Sequence, residues 1–180
     1  HQIMADTNLI TSCGGIIISA ETGERIADES YNHGDAVSEV ELEIGDEYYY
    51  LIFDGSAAEF SETLADKSSM YINTGLAATY NSVEEMAADL SLDEEVLQGV
   101  LDRYNAAVRG EGEDDFGRTS FYRELEAPYY VMKVSNGVVM TSGGLKVDDR
   151  SRVINTDGEA IEGLYAVGEV SGGLMRVYIA

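Results

Sequence analysis

The chain has one cysteine, one proline and no tryptophan in 180 residues, and 11 lysines and arginines stand against 34 acidic residues. Each scarcity excludes something. With Cys13 alone no internal disulfide can form, so a disulfide-stapled fold is ruled out. The formal net charge of −23 repels phosphate backbones and anionic headgroups, which argues against nucleic-acid binding and against a polybasic membrane contact. Apolar runs such as Gly14 to Ile18 fall far short of the roughly 20 residues that span a bilayer, so no membrane insertion is expected. No signal-peptide pattern opens the chain, which starts at His1 rather than Met, as in an excised segment. Missing too is a Gly-x-Gly-x-x-Gly at a strand-to-helix junction, the device that seats a dinucleotide pyrophosphate on a helix N-terminus.

What is present suffices for one domain with a sizeable core, given 44% apolar residues. Gly14 to Ser19 is a β-branched run that Glu21 to Glu24 turn back towards Arg25 and Ile26, a predicted hairpin. Val37, Val40 and Leu42 among acids predict a helix over Asp35 to Leu42 that stops near Gly45. Tyr48 to Phe53 predicts a strand ending at Asp54-Gly55, its three tyrosines serving strand packing. Ser82 with Glu85, and Ser91 with Glu94, have capping-box spacing and predict two helix starts. In the second helix Val96, Leu97, Val100, Leu101, Tyr104 and Val108 form one stripe, and the acidic loop Gly110 to Gly117 ends it. Pro128 precedes a strand over Tyr129 to Val134, followed by a turn at Asn136-Gly137. From Leu145 short strands and tight turns alternate through Val153-Ile154, Asn155-Thr156-Asp157-Gly158 and Leu164 to Val167. A few antiparallel strands with segregated helices predict an α+β domain.

Several separated motifs then fall in one order: Gly14-Gly15-Ile16-Ile17-Ile18-Ser19, Gly23-Glu24-Arg25, Asp28-Glu29, Leu51-Ile52-Phe53-Asp54, Ser82-Val83-Glu84-Glu85, Arg103-Tyr104-Asn105, Asp115-Phe116-Gly117-Arg118 and Gly143-Gly144-Leu145. In these the chain resembles the FAD-binding subunits of the fumarate reductase and succinate dehydrogenase type, especially the flavocytochrome-like branch. The resemblance implies that residues 1–140 are the capping, substrate-clamping domain and that residues 141–180 begin the return into the FAD domain as a β-hairpin tail. It implies a larger bacterial parent flavoprotein, cytoplasmic or exported, whose remaining FAD-binding domain is this segment's partner and whose substrate is a small molecule. The implied reaction is reduction or desaturation of a C=C bond next to a carbonyl or carboxyl group. The alternative is an acidic binding or interaction domain derived from the cap, without catalysis.

Small residues at Gly143, Gly144 and Gly168 let backbone approach a flat ring or a sugar chain, and Glu169 offers an acceptor for hydroxyls. In the family the corresponding Gly-Glu pair touches FAD; otherwise these glycines simply serve strand turns. Fumarate-reducing members use an arginine proton donor, which aligns here with His33 or Gly34. Their two substrate histidines align with Met4 and Met140, their Thr-Glu with Thr11-Ser12, and their last arginine with the neighbourhood of Arg176. Without the cationic clamp, fumarate is disfavoured and a larger, more apolar substrate is expected. Met4 and Met140 suit such a substrate and equally suit a core. Tyr31 stands where ketosteroid-dehydrogenase relatives carry a catalytic tyrosine, so Tyr31 and His33 are the candidate proton-handling residues. No metal ligands are assigned.

Overall fold

Alternation along one strand organises the larger part of the molecule. The computed structural model describes residues 11, 13–29, 40–56, 62–120, 123–135 and 143–172. Within it, Tyr49–Asp54 is buried along its whole length. Tyr49, Leu51 and Phe53 join one apolar cluster, Tyr50 and Ile52 another. Side chains alternate between the two faces of a strand, so this one must lie inside a sheet covered on both sides.

The sheet has four antiparallel strands, β1 (Ile16–Ser19), β2 (Tyr49–Asp54), β3 (Ala77–Tyr80) and β4 (Tyr129–Val134), in the order β1-β2-β4-β3. The predicted first hairpin is present, with Ser19 N–H donating to the Glu24 carbonyl (2.9 Å) and Ile26 N–H to that of Ile17 (3.2 Å). Helix α1 (Glu62–Asn73) sends Tyr71 into one cluster, beside Ile17, Leu51, Phe53 and Met132. Helices α2 (Val83–Leu90) and α3 (Glu94–Val108) cover the other face, where Met86, Leu97, Val100, Leu101 and Tyr104 pack on Ile16, Ile18 and Ile52. Burying each large apolar side chain contributes about 1.5–3 kcal/mol. The helices are therefore not segregated as expected from sequence: they lie on both faces, because β2 and β4 carry bulky residues on both.

Helix starts follow the sequence in one case and depart from it in the other. The Ser82 hydroxyl accepts from Glu85 N–H (3.1 Å), and the Glu85 carboxylate accepts from Asn81 N–H (2.8 Å). Ser91 does not start α3. It ends α2 in the left-handed region (φ 59°), and Asp93 caps α3 by accepting from Glu95 and Val96 N–H. A carboxylate immediately before the acidic first turn satisfies the open N–H groups better than a serine three residues before it. Helix α1 and strand β3 were not expected. Of the helix predicted over Asp35 to Leu42, residues 35–39 lie outside the described residues; helix is seen over residues 40–44, closed at Gly45 (φ 79°), whose N–H donates to the Glu41 carbonyl (2.9 Å). The turn at Asn136-Gly137 lies outside the described residues.

The chain divides into two compact units, His1–Asn136 and Gly137–Ala180. In the second, β5 (Arg152–Ile154) pairs with β6 (Ala160–Tyr165). The Asn155 side chain makes the predicted turn by accepting from Asp157 and Glu159 N–H. Leu145 forms a parallel bridge with Ser171. Strand β6 is exposed over its whole length, and Leu164, Tyr165, Val167 and Val170 are exposed apolar residues of this unit. No described helix is long and apolar enough to cross a membrane.

Candidate functional site

The acidic loop after α3 delivers an arginine to the interior. Asp114 folds the loop by accepting from the backbone N–H of Phe116 (3.0 Å) and Arg118 (2.9 Å). Gly117, at φ 71°, supplies the left-handed step that a side-chain-bearing residue resists. Arg118 then reaches back to the first hairpin. Its Nη1 donates to the Gly15 carbonyl and to Glu29 Oε2, both at 3.0 Å, and its Nη2 donates to the Thr11 carbonyl at 2.7 Å.

Glu29 is the centre of this cluster. Its carboxylate accepts from Ile17 N–H (2.9 Å), from Arg25 Nε (3.0 and 3.1 Å) and Nη2 (2.6 Å), and from Arg118. Arg25 Nη1 also bonds Asp114. The side chains of Arg25, Glu29, Asp114 and Arg118 are all at most 3% exposed. Two positive and two negative charges cancel there. Tyr104 lies against both guanidinium groups, 5.3 Å from Arg25 and 5.6 Å from Arg118 to the ring centre, and its hydroxyl donates to the Gly14 carbonyl (2.9 Å). Burial alone would lower the Arg25 guanidinium, but hydrogen bonding and charge from Glu29, then Asp114, outweigh it and hold Arg25 above its ordinary value. Burial pushes the Tyr104 phenol up, so it stays a donor.

Five of the motifs that carried the family resemblance, those at Gly14–Ser19, Gly23–Arg25, Asp28-Glu29, Arg103–Asn105 and Asp115–Arg118, thus supply parts of one buried network or its rim. Arg103 and Asn105 serve its rim: Arg103 pairs with Asp115 and Glu24 at the surface, and Asn105 exchanges two bonds with the Leu125 backbone. Sequence reasoning did not name Arg25, Glu29, Asp114 or Arg118 as site residues. Arg25 and Arg118 are two of only 11 basic residues, but nothing in their local sequence marks them as buried.

Of the expected site residues, Thr11 is described and buried, held through its carbonyl by Arg118 and by Gly14 N–H. Met4, Ser12, Tyr31, His33, Met140 and Arg176 lie outside the described residues. Cys13 is buried, and burial pushes its thiol up, which makes it a poor nucleophile. Among the described residues no group of three His, Cys, Asp or Glu side chains is placed to hold a metal ion.

In the second unit the expected cofactor-contact residues differ from one another. Gly144 is required by its own chain: a Cβ there would sit 2.5 Å from the Val170 carbonyl oxygen and 2.6 Å from Gly172 N. This closeness lets Leu145 N–H donate to Val170 (2.8 Å) and Gly172 N–H to Leu145 (2.9 Å). A Cβ at Gly143 or Gly168 meets nothing within 4 Å, but Gly168, at φ 77°, holds a left-handed conformation that itself favours glycine. Glu169, Val167 and Val170 of the same unit are exposed.

The chain matches the FAD binding domain family over residues 6–179. It is 31% identical to the NADH:fumarate oxidoreductase of Klebsiella pneumoniae, across 89% of this chain and 17% of that protein. It is 32% identical to the NADH:acrylate oxidoreductase of Vibrio harveyi, across 93% of this chain and 17% of that protein. The chain therefore spans about a sixth of the length of these relatives. The structure of the open conformation of a flavocytochrome c3 fumarate reductase shares its fold over 96% of this chain and 29% of that one, with a TM-score of 0.78 at 24% identity.

Proposed function

The chain belongs to the family of FAD binding domains, and from that premise we propose that it is a segment of an oxidoreductase acting on a C=C bond next to a carbonyl or carboxyl group. Residues 1–140 are the cap that closes over substrate, and residues 141–180 begin the return into the FAD domain. The observation that carries this reading is one family match running through both units. The exposed apolar residues of the second unit support it, because Leu164, Tyr165, Val167 and Val170 gain most from a covering domain.

Gly143 and Gly168 bring bare backbone to the cofactor, with Glu169 accepting from its hydroxyls. FAD, when bound, supplies hydride exchange with one carbon of the substrate. Tyr31 holds the proton for the neighbouring carbon as a phenol, with His33 two residues further along the chain as the second proton-handling candidate. Fumarate and acrylate, named for the two relatives, are both alkenes conjugated to a carboxylate, and the same conjugation activates the alkene here. With Met4 and Met140 in place of histidines, the preferred substrate is more apolar than a dicarboxylate.

The test is the whole flavoprotein, purified and screened by reduced-dye oxidation against conjugated ketones, monocarboxylates and fumarate. Tyr31→Phe is expected to lower turnover on the order of a hundredfold at unchanged flavin content. Unchanged turnover removes Tyr31 from the mechanism. A whole protein that purifies without flavin favours the non-catalytic acidic interaction domain.

A further inference from the structure

Resting on the reading just given, we propose that Arg118 is a positioning residue, a tie that fixes the two ends of the first hairpin relative to each other on the substrate side of the cap. Three observations lead there. Arg118 spends its donors on separate stretches of chain: Thr11 and Gly15 before β1, Glu29 after the hairpin, and Ser120 in its own loop (Nε to carbonyl, 3.2 Å). Three of those acceptors are neutral main-chain carbonyls, which a residue present only to balance charge would not need. The four acceptors also demand a planar fork, a geometry that one ammonium cannot reproduce.

The cluster's energetics point the same way. Desolvating two guanidinium groups and two carboxylates costs about as much as their attraction returns, so such an arrangement contributes little net stability over an apolar core. What it does supply is a single permitted arrangement. Thr11, an expected substrate contact, has its carbonyl set by Arg118 at 2.7 Å, and Glu29, the last residue described before Tyr31 in sequence, has its carboxylate set by Arg118 and by Ile17 N–H. Loosening the tie lets these two ends drift apart without unfolding the sheet, and small misplacements of reacting groups cost rate steeply.

Arg118→Lys in the whole flavoprotein keeps the charge and loses the fork. Turnover per bound flavin is expected to fall roughly tenfold or more, with the KM for the reduced dye and the flavin content unchanged. A merely structural role would lower the yield of folded enzyme and leave turnover per flavin alone, and that result overturns the proposal. Should Arg118→Lys not fold, the charge-balanced pair Arg118→Met with Glu29→Leu replaces it, with the same two outcomes. Hydrogen exchange on the wild-type protein needs no variant: Gly14 and Ile17 amides are expected to be as protected as those of β2, and exchange as fast as an exposed loop also overturns the tie. Tyr31 is separable. If Tyr31→Phe leaves turnover unchanged while Arg118→Lys lowers it, the proton-handling role fails and the positioning role stands; the reverse pattern sinks the positioning role alone.

Discussion

Removing Arg25 should be among the most damaging single substitutions in the chain, and Arg103 provides the control. Both arginines touch two carboxylates, Arg25 with Glu29 and Asp114, Arg103 with Glu24 and Asp115. They differ in surroundings. The Arg25 side chain is 2% exposed and that of Arg103 is 49% exposed. Arg25→Met leaves Arg118 alone against two buried carboxylates, and breaking a buried ion network by deleting one partner costs about 3–5 kcal/mol. The loss of ring contacts to Tyr104 and Phe116, each 5.3 Å from the guanidinium, acts in the same direction. Arg103→Met removes pairs that water already screens and should cost about 0–1 kcal/mol. Urea unfolding followed by circular dichroism or tyrosine fluorescence measures both; there is no tryptophan to use. At an m-value near 2 kcal/mol per molar, Arg25→Met should lower the midpoint by about 2 M, while Arg103→Met shifts it by less than about 0.5 M. Equal shifts for the two would refute the argument that burial, and not the number of partners, decides the effect.

Three further outcomes are expected. Asp93→Ala should destabilise by about 1 kcal/mol through loss of the α3 cap, whereas Ser91→Gly should stabilise by up to about 1 kcal/mol by relieving its left-handed conformation; both are read from unfolding midpoints. Tyr50 is pushed up to about 12 by burial, with the hydrogen bond to Tyr48 adding to it, so its folded-state value lies above the unfolded one. The stability this contributes is complete below about pH 10 and is lost as pH rises towards 12, so Tyr50→Phe should flatten the alkaline fall in stability; an unchanged slope would contradict it. Gly144→Ala drives a methyl to 2.5 Å from the Val170 carbonyl oxygen and should break the Leu145–Ser171 bridge at a cost of about 1–3 kcal/mol. Gly143→Ala, with nothing within 4 Å, should leave those amides protected in hydrogen exchange.

Local periodicity made β2, β4 and α3 legible, because their buried residues are large, apolar and regularly spaced. Helix α1 was not, because its inward positions include Ser68 alongside Tyr71, so the stripe that announces a helix is half polar. Strand β3 buries only Ala77 and Tyr80 and leaves Ala78 and Thr79 exposed, too little contrast to read. The cap of α3 was misplaced because both Ser91 and Asp93 have suitable side chains, and only the backbone at Ser91 shows which helix each belongs to. The site was legible as a sequence of family motifs but not as a cluster. Glu29 meets Arg118 across 89 positions, and Arg25 meets Asp114 across the same separation. Nothing near Arg118 distinguishes it from a solvated arginine in an acidic loop, and its burial is decided by the distant hairpin.

The cluster also constrains how descendants of this chain can vary. A lineage losing any one of Arg25, Glu29, Asp114 or Arg118 must pass through an intermediate with an uncompensated interior charge, so the quartet should persist or vanish as a block. The surface pairs around Arg103 and Arg109 carry no such obligation and are free to drift one residue at a time.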